Sequence, residues 1–384
     1  MPDVKTALVL GVHSFADPHF RTGIQYIAEG LARRGLDVEY VSVPSSPLDV
    51  LGRDRFRRLI RVWGHMGRSP VTAPVPGLRE FAFVSPLPVH AALVWCEAAL
   101  QGIRIPAKGH FASRRFDLCV HDVGPTMAYL PLVQAKRYYL RLNDAPETQT
   151  SLPGVLVEGL RRRLRDGQYR RVWAVSDPLV EYGAAVAPAT PVTCVPNGFD
   201  SGLFSGPVSR LKGRRAVYVG NRIGWLDVAL LRETARLLPE WEIHCVGAGF
   251  RSERDSGNLK FLPPVAHEAV PAMLAGYDVG LLPYRDDPHM DCVHRPLKYY
   301  EYVAAGLGVA CADVGGLRQG MGPWVRFGRT PQEFAHAVEA AVAAARTVAD
   351  EERAAFLAEN HWAARLEAMF GAVDGLDQRA PAAS

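Results

Sequence analysis

Tyr277-Asp278-Val279-Gly280-Leu281-Leu282-Pro283-Tyr284 and, after a short loop, Arg295-Pro296-Leu297-Lys298-Tyr299-Tyr300-Glu301-Tyr302-Val303-Ala304-Ala305-Gly306 decide how this chain is read. The first run is short, apolar and closed by proline, the mark of a buried strand over Val279–Leu282. Pro296 stands where a helix starts, the position that tolerates a missing N–H. Val309–Ala312 then reads as the next strand. Free N–H groups and the helix dipole favour an anion at such a start. Lys298 lies in the first turn and adds a full positive charge, and Glu301, three residues on, shares its face. A cation for a diphosphate beside a carboxylate for ribose hydroxyls fits a nucleotide. On spacing alone, a surface Lys–Glu pair on an ordinary helix fits as well.

The same strand–helix alternation runs outward in both directions. Thr6–Val12, Val38–Val43, Asp117–His121, Tyr138–Leu142, Val172–Val175 and Val192–Val195 read as strands. Phe20–Arg34 has helical spacing, with Ile24, Ile27, Ala28 and Leu31 on one face and Gly35 as its stop. Pro196 to Gly213 has the composition of a linker, and a second alternating set follows at Ala216–Gly220, Glu242–Gly247, Leu259–Leu262, Val279–Leu282 and Val309–Ala312. Phe334–Arg346 and Glu351–Phe370 read as helices, and Gly371–Ser384 as a disordered tail. The pattern is that of two α/β domains, each a mostly parallel sheet covered by helices. Ligands of such sheets bind beyond the carboxyl ends of the strands. Two halves facing each other would place a cleft between them.

Composition narrows the class. The 384 residues are 48% hydrophobic and 22% charged, with a net charge of +4, ordinary values for a two-domain globular protein and no sign of a nucleic-acid binder. Cys96, Cys119, Cys194, Cys245, Cys292 and Cys311 form no C-x-x-C pair, so neither a disulfide framework nor a zinc site is expected, and a reducing cytoplasmic compartment is. No leader peptide is expected at the start, and no run reaches the roughly 20 apolar residues of a membrane span.

Several further segments agree in order with Pro-x-Lys-x-x-Glu-Tyr-x-Ala-x-Gly. They are Trp173-Ala174-Val175-Ser176-Asp177-Pro178-Leu179, Val195-Pro196-Asn197-Gly198-Phe199-Asp200 with Phe204, and Tyr218-Val219-Gly220-Asn221. Together they resemble GT-B glycosyltransferases, which implies an α/β GT-B architecture of two Rossmann-like domains facing a central cleft. On that reading residues 1–195 bind the acceptor and 214–345 the nucleotide sugar, while a helix within 346–370 packs back on the first domain. His13 to Gln25, Tyr139-Leu140-Arg141-Leu142-Asn143-Asp144, and the spacing of Tyr284 to Lys298 resemble the membrane-associated glucuronosyltransferases of xanthan assembly. Teichuronic-acid-type glycosyltransferases share Glu301-Tyr302. The resemblance implies that Asp144 is the catalytic base and that Tyr284, Leu297, Lys298 and Glu301 contact UDP. Glu301 where those glucuronosyltransferases have glutamine, and Asn143 and Ala145 around the aspartate, depart from the pattern and leave the sugar open.

Asp144 also has its own logic. It follows a strand and so lies at a carboxyl end, where an inverting transfer needs one general base. A turn aspartate before Ala145-Pro146 is the structural alternative. Retaining relatives carry two acids eight positions apart, the second at the place of Glu301. Val293 occupies the first place here, which favours inversion, although Asp291 or His294 stand close by. Gly220, Asn221 and Arg222 follow a strand and are candidates for the diphosphate. His13, His19 and Arg21 are candidates for the acceptor, with a structural loop role equally open for His13. Gly247-Ala248-Gly249 lacks the third glycine of a dinucleotide fingerprint. Arg285-Asp286-Asp287 reads as a solvated loop, so no metal is expected, and no cofactor beyond a UDP-sugar donor.

Arg53, Arg55, Arg57, Arg58 and Arg61, interleaved with Leu51, Phe56, Leu59, Ile60 and Trp63, read as a basic amphipathic helix suited to the inner membrane surface and to a lipid-diphosphate-linked acceptor. The function expected is transfer of a sugar, glucuronic acid among the candidates, from UDP to such an acceptor or a polysaccharide, inverting and without a metal. A retaining enzyme of the same fold, a nucleotide-sugar epimerase and a non-catalytic nucleotide-sugar or lipid-binding protein are the alternatives.

Overall fold

The computed structural model describes residues 4–48, 71–72, 75–204, 213–221 and 224–371, with backbone alone at 71, 72 and 289. The basic segment around Arg53–Arg61, Arg222, part of the expected linker and the tail after Gly371 lie outside the described residues. The chain divides into two compact units. One comprises the residues up to Val195 and those from Leu366 on, and the other is Pro196–Arg365.

The first unit is an eight-stranded sheet. In chain order its strands are β1 (Thr6–Leu10), β2 (Asp37–Val41), β3 (Val71–Thr72), β4 (Leu78–Phe81), β5 (Phe116–Asp122), β6 (Ala135–Leu142), β7 (Arg171–Ala174) and β8 (Val192–Cys194). They lie in the order β3-β4-β2-β1-β5-β6-β7-β8, parallel except where β3 runs against β4. The second unit has β9 (Arg215–Val219), β10 (Glu242–Val246), β11 (Leu259–Leu262), β12 (Val279–Leu282), β13 (Gly308–Ala312) and β14 (Val325–Gly328), all parallel, in the order β11-β10-β9-β12-β13-β14. In each unit the order reverses beside the first strand, β1 or β9. Open parallel sheets place ligands beyond the strand ends at that point.

The central strands are apolar because both faces are covered. Ala7–Leu10 and Val279–Leu282 are each fully buried. The first helix, α1 (Gly23–Arg33), begins later than its spacing suggests. Thr22 is the N-cap, and Gln25 returns the bond in a capping box. Residues 20–22 therefore belong to the loop.

Three strands escape sequence reading. β4 is four residues with Arg79 and Glu80 at its centre, and Glu80 is fully buried. β3 has two residues, and β14 carries a charge inside a four-residue run. None offers an apolar run long enough to stand out.

The linker and the C-terminal helix also differ from expectation. Phe199 donates its N–H to Asn360 O (3.1 Å) and accepts from Trp362 N (3.1 Å), so the start of the expected linker is held as an extended bridge beside His361. A side chain on Gly198 would meet Asn360 O at 3.0 Å, which explains the glycine there. The expected single helix over Glu351–Phe370 is two, Asp350–Asn360 and Trp362–Phe370, broken at His361 where this bridge forms. Only the residues from Leu366 on belong with the first unit, so the segment 346–370 is shared between the units. Phe370 packs on the stacked rings of Tyr139 and Trp173, and Gly30 of α1 leaves the space that Leu366 fills.

Candidate functional site

In the second unit the site is built where β9 and β10 end. Gly220 closes β9, donating its N–H to Val246 O at 2.9 Å. The helix after β12, Leu297–Ala304, is capped by Pro296 and stopped by Gly306, whose φ of 82° suits glycine. Its three tyrosines fix its pose. Tyr299 Oη accepts from Gly322 N (2.9 Å) and Trp324 Nε1 (3.0 Å), Tyr300 stacks on Phe356, and Tyr302 Oη accepts from Val219 N (2.9 Å). With those side chains buried, Lys298 and Glu301 share the remaining face.

Lys298 reaches back over the end of β9. Its Nζ lies 5.3 Å from the centre of the Tyr218 ring. A Cβ on Gly220 would fall 2.3 Å from Lys298 Cε and 2.9 Å from Nζ, so the lysine occupies the space that the glycine leaves. Gly220 has φ of 148°, a second reason for glycine there. Among the described residues neither Lys298 nor Glu301 has a side-chain hydrogen bond or an ion pair within 4 Å. Burial lowers the Lys298 pKa, partly offset by Glu301. Burial, with a smaller push from Asp200 and against the pull of Lys298, raises Glu301 to about 7. Glu301 is 8% exposed. A half-buried lysine and a buried glutamate, neither with a hydrogen bond or ion pair among the described residues, form a site that a polar ligand would complete.

Asn221 follows Gly220. Its main-chain oxygen accepts from Tyr218 Oη (2.9 Å) and its Oδ1 from Ala248 N (3.3 Å). Gly247 packs flat against this turn, since a Cβ there would fall 1.9 Å from Gly220 O. Gly247-Ala248, set aside by the sequence argument for want of a third glycine, thus supports the candidate site. The usable signal was its place directly after a strand. Leu297 is half-buried at the helix start. Tyr284 is 3% exposed within the hydrophobic core, so here its ring is not presented to a ligand. The aromatic residue after β12 completes the core instead.

In the first unit Asp144 lies two residues beyond β6 and is half-buried. Its Oδ2 accepts from Asn143 Nδ2 (2.9 Å) and Gln149 Nε2 (3.1 Å). Asn143 is itself fixed, since its Oδ1 accepts from Val123 N (3.0 Å) just beyond β5. Beneath them Arg141 Nη1 bridges both oxygens of Asp122 at 3.1 Å, with both side chains buried. Burial, reinforced by Asp122 and opposed by Arg141, Gln149 and Asn143, raises Asp144 to about 7. A carboxyl with that pKa is a stronger base than an exposed one and is about half ionised at neutral pH. Gln149 went unnoticed in the sequence because its contact crosses the short helical turn Pro146–Thr148.

The loop after β1 contains the other candidates. His13 stacks on Phe20 with centroids 5.1 Å apart, and its main-chain oxygen accepts from Tyr40 Oη (2.6 Å). His19 is half-buried and donates its main-chain N–H to Asp17 Oδ1 (3.0 Å). Arg21, a candidate for the acceptor, is held within the first unit. It pairs with the buried Glu29 and lies over the rings of Phe15 and Tyr26, at 5.0 and 5.4 Å. Its charge is already used within the unit. Val293 packs against the core of the second unit, while His294 is buried at 4% exposure and Asp291 is exposed. No cluster of three or more metal-ligating side chains occurs among the described residues, and no helix among them is long and apolar enough to cross a membrane.

Residues 214–371 match the family described as glycosyl transferase-like. A putative teichuronic acid biosynthesis glycosyltransferase, TuaH of Bacillus subtilis, is 29% identical over 130 residues, which are 30% of this chain and 32% of that protein. The match thus spans about a third of the length of that curated relative. Among solved structures, sucrose-phosphate synthase from Thermosynechococcus elongatus superposes with a TM-score of 0.67 at 16% identity, covering 95% of this chain and 97% of that one. Anabaena HepE, in complex with UDP and glucose, superposes with a TM-score of 0.62 at 16% identity, covering 95% and 98%. The fold is that of GT-B glycosyltransferases, two Rossmann-like α/β domains.

Proposed function

We propose that the protein is a glycosyltransferase that takes a sugar from a UDP-sugar. The observation that carries this reading is the Lys298–Glu301 face, a half-buried cation and a buried carboxyl without a hydrogen bond or ion pair among the described residues, beside the Gly220–Asn221 turn. It lies inside the segment that matches the glycosyl transferase-like family. Lys298 and the helix start at Leu297 stabilise the departing diphosphate, and Glu301 holds the ribose. Anabaena HepE, a fold relative, was crystallised with UDP and glucose, which supports UDP as the carrier.

Asp144 takes the proton from the acceptor hydroxyl, held by Asn143 and Gln149. With Val293 in place of the first acid of retaining relatives, transfer inverts the anomeric centre. Lysine, Asn221 and the helix start supply the charge stabilisation, so the reaction runs without a metal. The acceptor is a lipid-diphosphate-linked saccharide or a polysaccharide, met at the inner face of the membrane through Arg53, Arg55, Arg57, Arg58 and Arg61, and glucuronic acid is one candidate for the sugar.

The test incubates the protein with UDP-glucose, UDP-glucuronic acid or UDP-N-acetylglucosamine and a lipid-diphosphate saccharide, and follows the acceptor by mass spectrometry. One donor should add its sugar to the acceptor, and NMR should show an inverted linkage. Asp144→Asn should lower transfer by about 10²–10⁴ while leaving UDP binding intact. UDP bound with no donor consumed would make this a binding protein. Sugar conversion without acceptor would make it an epimerase.

A further inference from the structure

Three features converge on the bare face of Gly220, namely the Lys298 side chain, the Tyr218 ring and hydroxyl, and the main chain of Asn221. A Cβ at Gly220 would stand 2.3 Å from Lys298 Cε, 2.9 Å from Nζ and 3.2 Å from Tyr218 Oη. Tyr218 is fully buried in β9. Its ring lies under the ammonium, 5.3 Å from Nζ to the centroid, and its hydroxyl donates to Asn221 O at 2.9 Å. The negative face of an aromatic ring attracts a cation, most strongly where water is scarce. A tyrosine hydroxyl donating to a turn carbonyl fixes the direction of the peptide groups on either side.

We infer that Tyr218 is a positioning residue for the diphosphate. Its ring holds the Lys298 ammonium and its hydroxyl holds the Gly220–Asn221 turn, so that both meet one ligand in a fixed relation. This rests on the reading of Lys298 as the diphosphate cation. Lysine is flexible, with four rotatable carbons and an ammonium that makes no directional fork. Here it has no carboxylate or carbonyl among the described residues to anchor it. The ring and the vacant side of Gly220 confine it instead. The ligand class is a nucleoside diphosphate, since the two features held by Tyr218 address phosphate and not base or sugar.

The test measures the affinities of UDP and of uridine, the latter by competition, for the full chain and its Tyr218→Phe and Tyr218→Leu variants, with thermal unfolding as a check of folding. Tyr218→Phe removes only the hydroxyl bond and should weaken UDP about three- to tenfold. Tyr218→Leu also removes the ring and should weaken it further. Uridine affinity should stay within about twofold in both, and the loss from Tyr218→Leu should shrink when Lys298 is already alanine. Equal weakening of UDP and uridine would reduce Tyr218 to a core residue, as would unchanged UDP affinity in Tyr218→Phe that unfolds like the parent. If Tyr218→Leu does not fold, the isosteric phenylalanine variant alone decides. A parent protein that does not bind UDP overturns the donor-site reading and this inference together, whereas binding that ignores Tyr218 overturns this inference alone.

Discussion

Gly11 and Gly220 occupy equivalent places in the two units. Each follows the first strand of its sheet, and each donates its N–H to the last residue of the neighbouring strand, Val41 O at 3.0 Å and Val246 O at 2.9 Å. Each also leaves room for a side chain from elsewhere. A Cβ on Gly11 would strike Tyr40 Oη at 1.9 Å, and one on Gly220 would strike Lys298 Cε at 2.3 Å. The occupants differ. Tyr40 donates to His13 O at 2.6 Å and so closes the first loop on itself. Lys298 brings a charge with no hydrogen bond or ion pair among the described residues. The same backbone solution thus holds a tyrosine bonded within its own loop in one unit and a lysine without such a partner among the described residues in the other.

The neighbouring polar groups repeat the contrast. Around the strand ends of the first unit, Arg21 pairs with Glu29, Arg141 with Asp122, and His121 Nε2 with Tyr169 Oη at 2.9 Å, while burial lowers the histidine to about 4. These groups pair with one another. In the second unit Lys298 and Glu301 do not. A cation and a carboxyl left unpaired on one face at the end of one sheet are the better pointer to a ligand.

Substituting the two glycines tests this contrast most sharply. Gly220→Ala would displace Lys298 and strain a φ of 148°, so UDP affinity should fall about 10- to 100-fold by calorimetry. Gly11→Ala would displace Tyr40 and should cost about 1–3 kcal/mol of stability by denaturant unfolding, with UDP affinity unchanged. Equal effects of both on UDP would erase the distinction drawn between the two ends.

A smaller effect concerns Asp144 in the first unit. Its pKa is raised from 3.8 to about 7, so its contribution to stability is fully present below about pH 4 and is lost as pH rises through about 7. Asp144→Asn should therefore stabilise the protein at pH 8 by about 1–3 kcal/mol, after allowance for its partial contact with water, and by almost nothing at pH 4. Thermal unfolding at the two pH values reads this directly. With Asp144 as the proposed base, kcat/KM in transfer assays should fall as pH drops below about 7.

Much of this architecture is legible in the sequence because parallel strands are short apolar runs and their order is punctuated by glycine and proline. Lys298 and Glu301 were legible for the same reason, being held on one helix face by local spacing. What escaped reading depends on contacts across the chain. Glu80 in β4 is buried and charged because its Oε2 accepts Phe15 N (2.9 Å), 65 residues away in sequence. Arg21 looked free because Glu29 is eight residues on, off the usual helical pairing distances. Gln149 reaches Asp144 across a turn, and Gly247 supports the Gly220 turn from the next strand. The break at His361 follows from its pairing with Phe199 and not from its own helix propensity.

The central claim is that Lys298 is the diphosphate cation of a nucleotide site in the second unit. Calorimetric titration of UDP into the full-length protein and its Lys298→Ala variant tests it most directly. The account predicts saturable binding by the parent and a loss of at least about tenfold in the variant, with the unfolding temperature little changed. Binding of equal strength to both, or none to the parent at millimolar UDP, would contradict it.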